Sequence, residues 1–186
     1  GMPDEMTYLY CLRAMDPGRL DFNPKYFNNP SAFVYLYAAT LKAADLAGVV
    51  QLVPDEAWYH AHRAAWARIF LVGRSLQVVI GTLSIYVFFL LGRRFAGDGC
   101  GLATAGLLAL LPVHIAGSHY ATANLLVLLF MALAAREMLL AFDLPAEPEL
   151  AARPFSLLRA GLWTGLAIGT KYSAGALVPF LLAAEI

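Results

Sequence analysis

Asp4 and Glu5 stand side by side near the start of the chain. Adjacent acids at a membrane edge can supply a general base, a carboxylate that takes the proton from an acceptor hydroxyl. The simpler local explanation is a helix N-terminus, where acids suit the macrodipole. The stretch Asn23-Pro24-Lys25-Tyr26-Phe27-Asn28-Asn29-Pro30 offers Lys25 to a phosphate, although taken alone it reads as a pair of Asx-type turns. Ser118-His119-Tyr120-Ala121-Thr122-Ala123-Asn124 places five hydrogen-bonding side chains between two apolar runs, more polarity than a tight turn needs. Thr122 or Asn124 could equally cap the following helix. Lys171 is costly at a bilayer centre and is a functional candidate for that reason. Its alternative is to snorkel to an interface, as Arg74 can from its place near the start of a span. His60 and His62 lack acids or cysteines at ligand spacing, so no metal site is expected there.

These residues need elements to hold them, and composition says which kind. Of the 186 residues 60% are hydrophobic and 14% charged, against about half and about a quarter in an average soluble domain. The formal net charge is zero, which gives no basis for nucleic-acid binding or a polybasic membrane patch. Most of the apolar surplus follows Arg68. A spanning helix needs roughly 20 mostly apolar residues, and four segments qualify as candidates: about 69–91, 101–117, 124–142 and 159–186. The last has room for two half-helices broken near Gly169-Thr170-Lys171. The expected fold is therefore all-α, a polytopic transmembrane helical bundle.

Arg93 and Arg94, and then Arg153 and Arg159, mark two basic connections, whereas 117–123 has no Lys or Arg. The positive-inside rule puts the basic connections in the cytoplasm and the 118–122 turn outside. Residues 1–67 then form an outer first loop with juxtamembrane helices, one over 4–15 ended by Asp16-Pro17-Gly18 and one over 31–46 opened by Pro30. Cys11 and Cys100 fall on opposite sides, so no disulfide is expected. The N-terminus lacks a signal-peptide pattern, and both ends look cut, as in an N-terminal piece of a longer protein.

In order and spacing the motifs resemble the GT-C superfamily of membrane glycosyltransferases, the group with protein O-mannosyltransferases and aminoarabinose transferases. Pro3-Asp4-Glu5 is similar to that family's acidic motif, and residues 23–31 to its NPxxFNxPS stretch. Ala67-Arg68, Gly73-Arg74-Ser75, Gly81-Thr82-Leu83, Leu91-Gly92-Arg93-Arg94-Phe95, Leu111-Pro112-Val113-His114, Ser118-His119-Tyr120-Ala121-Thr122 and Gly165-Leu166-Ala167-Ile168-Gly169-Thr170-Lys171-Tyr172 follow. The sequence departs from the pattern at Asn124, where many relatives carry Asp.

The resemblance implies transfer of a sugar from a polyprenyl-phosphate donor to an acceptor hydroxyl on a protein or glycolipid, at the outer face and with no cofactor. Asp4 would be the catalytic base with Glu5 in support. Lys25, His119, Asn124 and Lys171 would contact substrate. A multi-pass protein of a bacterial plasma membrane, rather than of the endoplasmic reticulum, is the expected setting. The alternatives from other classes are a non-catalytic subunit of a membrane complex and a transporter segment with Lys171, Arg74 and Pro112 along a pathway.

Overall fold

The computed structural model describes residues 3–142 and 153–183, and every element among them is helical. Helix α1 (Pro3–Ala14) ends at a 3-10 turn (Pro17–Arg19), whose entry is fixed by the Asp16 carboxylate accepting from the Gly18 N–H at 3.1 Å. Helix α2 (Ala32–Leu46) is preceded by Ser31 at its cap, so Pro30 lies just outside the first turn rather than in it. A short α3 (Glu56–Ala61), not foreseen from the sequence, is capped by Asp55 accepting from the Ala57 N–H at 2.9 Å. Then come α4 (Arg63–Leu110), α5 (Pro112–Ser118), α6 (Asn124–Phe142), α7 (Arg153–Thr170), a 3-10 segment (Tyr172–Leu177) and α8 (Val178–Ala183).

Helix α4 buries one stripe, Ile69, Gly73, Gln77, Ile80, Ser84 and Val87, at the three- and four-residue spacing of a helix face. Its other face exposes Leu71, Val78, Val79, Leu83 and Tyr86. A helix apolar on all sides belongs in the interior of a large protein or in lipid. Between Arg74 and Arg93 run 18 uncharged residues, about 27 Å of helix and close to the roughly 30 Å hydrocarbon thickness. Two helices, α4 and α6, are long and apolar enough to cross a membrane.

Where the sequence suggested a basic loop over 92–100, the structure bends α4 sharply at Ala96 and Gly97. Gly97 there adopts φ 76°, which a side chain would resist. Arg93 Nε meets Asp98 Oδ1 at 2.8 Å across the bend. The expected 101–117 run is interrupted at Leu111, which is extended (φ −68°, ψ 119°) because Pro112 disfavours a helical residue before it. The 159–186 run breaks at Lys171 (φ −153°, ψ 130°), at the place the sequence allowed. Cys11 and Cys100 are free thiols.

Helix α6 packs along α4 and α7. Small residues, Ala134, Ala160 and Ala167, are fully buried there, and Phe130 stacks on Trp163 with centroids 5.8 Å apart. Small side chains at such seams let helix backbones approach closely. Helix α2 lays Phe33, Val34, Tyr37 and Leu41 into the core with α1 and α4. The Tyr37 ring occupies the space beside Gly73, where an added Cβ would lie 2.6 Å from its hydroxyl. Burial pushes the Tyr37 hydroxyl above the ordinary tyrosine range.

Candidate active site

The two adjacent acids have different fates. Glu5 is fully buried and receives both arms of Arg74, Nε at 3.0 Å and Nη2 at 2.9 Å, while the Ala121 N–H donates to the same carboxylate at 3.0 Å. One residue thereby ties α1 to α4 and to the 119–123 turn. Bidentate guanidinium–carboxylate pairs are the strong, geometrically specific kind. A buried carboxylate needs such partners, because burying an unpaired charge is very costly. Arg74 also lies over the Tyr120 ring, 5.7 Å from its centroid. Arg74 therefore does not simply snorkel to an interface: its partner stands 69 residues earlier in the chain.

Asp4 sits one position earlier on α1 and points the other way, exposed, with no hydrogen bond or ion pair to its carboxylate among the described residues. It lines an open cavity of about 140 Å³. Thr7 and Tyr8 of α1, Tyr26 and Asn29 of the loop before α2, Thr122 and Asn124 at the start of α6, and Lys171 at the break after α7 complete the lining. Each of these side chains carries a polar group. Gln77 donates to the Thr122 carbonyl at 2.8 Å, which anchors the turn to α4.

Lys171 Nζ donates to Asn124 Oδ1 at 3.0 Å. Asn124, the first residue of α6, thus holds the lysine, and a neutral amide brings no counter-charge to the ammonium. Tyr8 is buried against Phe33 and Tyr26, and its hydroxyl pKa is pushed up to about 12 by that burial, so it remains a neutral phenol at any physiological pH.

Of the residues the sequence singled out, the cavity gathers Asp4, Asn124 and Lys171. Glu5 lies behind it. Lys25 is exposed outside the lining, with Nζ 3.8 Å from Asp21. An Asx turn forms at Asn23, as expected, with Asn23 accepting from the Lys25 N–H, and a second lies just ahead of the stretch, where Asp21 accepts from the Asn23 N–H. His119 is exposed and donates through Nδ1 to the Ile115 carbonyl at 2.7 Å, also outside the lining. Arg74, Tyr8, Tyr26 and Asn29 were missed as site residues. Tyr26 and Asn29 lie within the 23–31 motif, and that membership is the sequence signal for them. No group of three His, Cys, Asp or Glu that could hold a metal occurs among the described residues.

A helical membrane protein with a polar, charge-bearing cavity at one end of an apolar bundle is the class these features define. The sequence profile of the dolichyl-phosphate-mannose-protein mannosyltransferase family matches residues 68–185, and the chain belongs to that family. No curated protein and no solved structure matches it. The family is one of membrane glycosyltransferases, and the match covers α4 to the C-terminal segment. Asp4, Glu5 and the 23–31 stretch lie ahead of it.

Proposed function

We propose that the chain carries the donor-side part of the active site of a glycosyltransferase that moves a sugar from a polyprenyl phosphate to an acceptor hydroxyl at the membrane face bearing Asp4. The observation that carries this reading is the shared cavity of Asp4 and Lys171: among the described residues the carboxylate has no hydrogen bond or ion pair, and the ammonium donates to the Asn124 amide oxygen. The Asp4 carboxylate takes the acceptor hydroxyl proton, and the acceptor oxygen attacks the anomeric carbon. The bond from that carbon to the phosphate oxygen breaks, and the leaving phosphate meets the Lys171 ammonium. Such a displacement inverts the anomeric centre. A lysine suits this task as a compact charge, and stabilising charge where it develops is the larger part of such catalysis.

Glu5 and Arg74 do not touch substrate in this scheme; they are positioning residues that fix α1 and hence Asp4. The cavity is small beside the roughly 300–1,000 Å³ of drug-sized sites. It therefore fits a phosphate and part of a sugar, with the polyprenyl chain left in lipid. A topology with the Arg74 end of α4 at the outer face is the one this chemistry requires.

The test uses the full-length gene product in membranes supplied with labelled polyprenyl-phosphate sugars. Release of polyprenyl phosphate by the wild type, and its loss in a well-inserted Asp4→Asn variant, is the expected result. Undiminished release by Asp4→Asn would remove Asp4 from the chemistry.

A further inference from the structure

The loop between α1 and α2 is rigidly built yet turns its largest apolar side chains outward. Asp16 and Asp21 bridge backbone to backbone, the Asx turns at Asp21 and Asn23 follow, and Tyr35 donates to the Phe22 carbonyl at 3.1 Å. Despite this bracing, Leu20 is 80% exposed, Phe27 74% and Phe22 51%. Leu20 adopts a left-handed backbone (φ 58°), unusual for a residue with a branched side chain, and this conformation is part of how it is presented. Large exposed apolar groups gathered on one loop mark a surface that something apolar covers.

The height of the loop in the fold says what covers it. Tyr26 and Asn29 line the cavity with Asn124 and Lys171, and Ala32, just after the loop, is the neighbour of Gly169 in the last turn of α7. Gly169 is the last residue but one of an uncharged run, 160–170, that lies between Arg159 and Lys171. The loop thus sits level with the end of the apolar helices, where hydrocarbon gives way to headgroups. Arg19 and Lys25, both mostly exposed, flank the apolar side chains on long contacts to Asp16 (3.4 Å) and Asp21 (3.8 Å) that leave most of each basic side chain open. Apolar tips bordered by basic side chains are the pattern of interfacial lipid binding.

We propose that residues 20–27 dock on the bilayer, with Phe22 and Phe27 inserted at the headgroup–acyl boundary of the leaflet nearest Arg74 and with Lys25 directed to lipid phosphates. The same loop then bounds the cavity on one side and lipid on the other, so a lipid-borne donor reaches Lys171 past it. This docking surface is independent of whether the cavity catalyses transfer.

The test places a nitroxide label at Phe27→Cys, and separately at Phe22→Cys, in the full chain carrying Cys11→Ala and Cys100→Ala, reconstituted into phosphatidylethanolamine–phosphatidylglycerol vesicles. Lys42→Cys, on an exposed position of α2, is the aqueous reference. Severalfold greater accessibility to molecular oxygen than to a water-soluble nickel chelate at both loop positions, reversed at Lys42→Cys, is expected. Accessibility matching that of Lys42→Cys would overturn the proposal. So would protection from both reagents, which would mean that protein, a second copy or another part of the chain, covers the loop.

Discussion

The bundle buries a carboxylate near each of its ends, and the two ends differ in what is left over. Near one end Glu5 is clamped by Arg74 and the Ala121 N–H. Near the other Glu137 takes Arg136 at 2.7 Å from its own helix and Arg159 at 3.1 Å from α7. Both pairings cross between elements that must stay together. Among the described residues, it is the Glu5 end that adds a carboxylate and a cation outside the clamp, Asp4 and Lys171, facing a common cavity. Ion pairs between elements hold helices together, while charges that lie outside them can act on a substrate. A transport pathway would need polar groups converging along the spans, whereas the cavity gathers its polar groups at one end.

That contrast can be broken by mutation. Asp4→Asn is expected to lower turnover by about 10²–10⁴-fold, the usual range for loss of a positioned general base, with thermal unfolding unchanged. Glu137→Gln, at the far end, should alter thermal unfolding while turnover below the transition stays near wild type. Measuring both quantities on both variants checks the division. Arg74→Ala strands the buried Glu5 charge and should destabilise by about 3–5 kcal/mol. Glu5→Gln combined with Arg74→Met should recover part of that loss, read as a double-mutant cycle in unfolding experiments.

Lys171→Met removes a charge-assisted contact worth about 1.5–3 kcal/mol. It should raise the donor KM about 10–100-fold, with Lys171→Arg falling between it and wild type. The smallest effect belongs to Gly73→Ala, which forces the Tyr37 ring to shift and should cost about 1–3 kcal/mol of stability as overpacking while leaving the donor KM near wild type.

Much of the fold was legible because apolar period and length dominate in such a chain. The α1 and α2 limits, the α6 span and the break at Lys171 follow from local signals. The interruption at Leu111 follows from Pro112, whose effect on its preceding residue is also local but is masked in the sequence by the apolar run around it. Helix α3 is too short to have an apolar period.

In the site, Asp4, Asn124 and Lys171 were marked by charge or polarity in unusual surroundings. The partnership of Glu5 with Arg74 was not visible, since tertiary packing alone joins positions so far apart. Tyr8 likewise reads as one more aromatic residue until its burial beside the cavity is known. Lys25 and His119 carry suitable groups, but local hydrogen bonds within the Asp21–Lys25 turns and to Ile115 direct them elsewhere.

The most direct test of the central claim is the affinity of free polyprenyl phosphate for the wild type, Asp4→Asn and Lys171→Met in the same membranes. If Lys171 seats the phosphate and Asp4 faces it as a base, Lys171→Met weakens binding. Asp4→Asn then binds as tightly as wild type or tighter, having shed a repelling negative charge. Unchanged affinity in Lys171→Met, or binding abolished by Asp4→Asn, would contradict that arrangement.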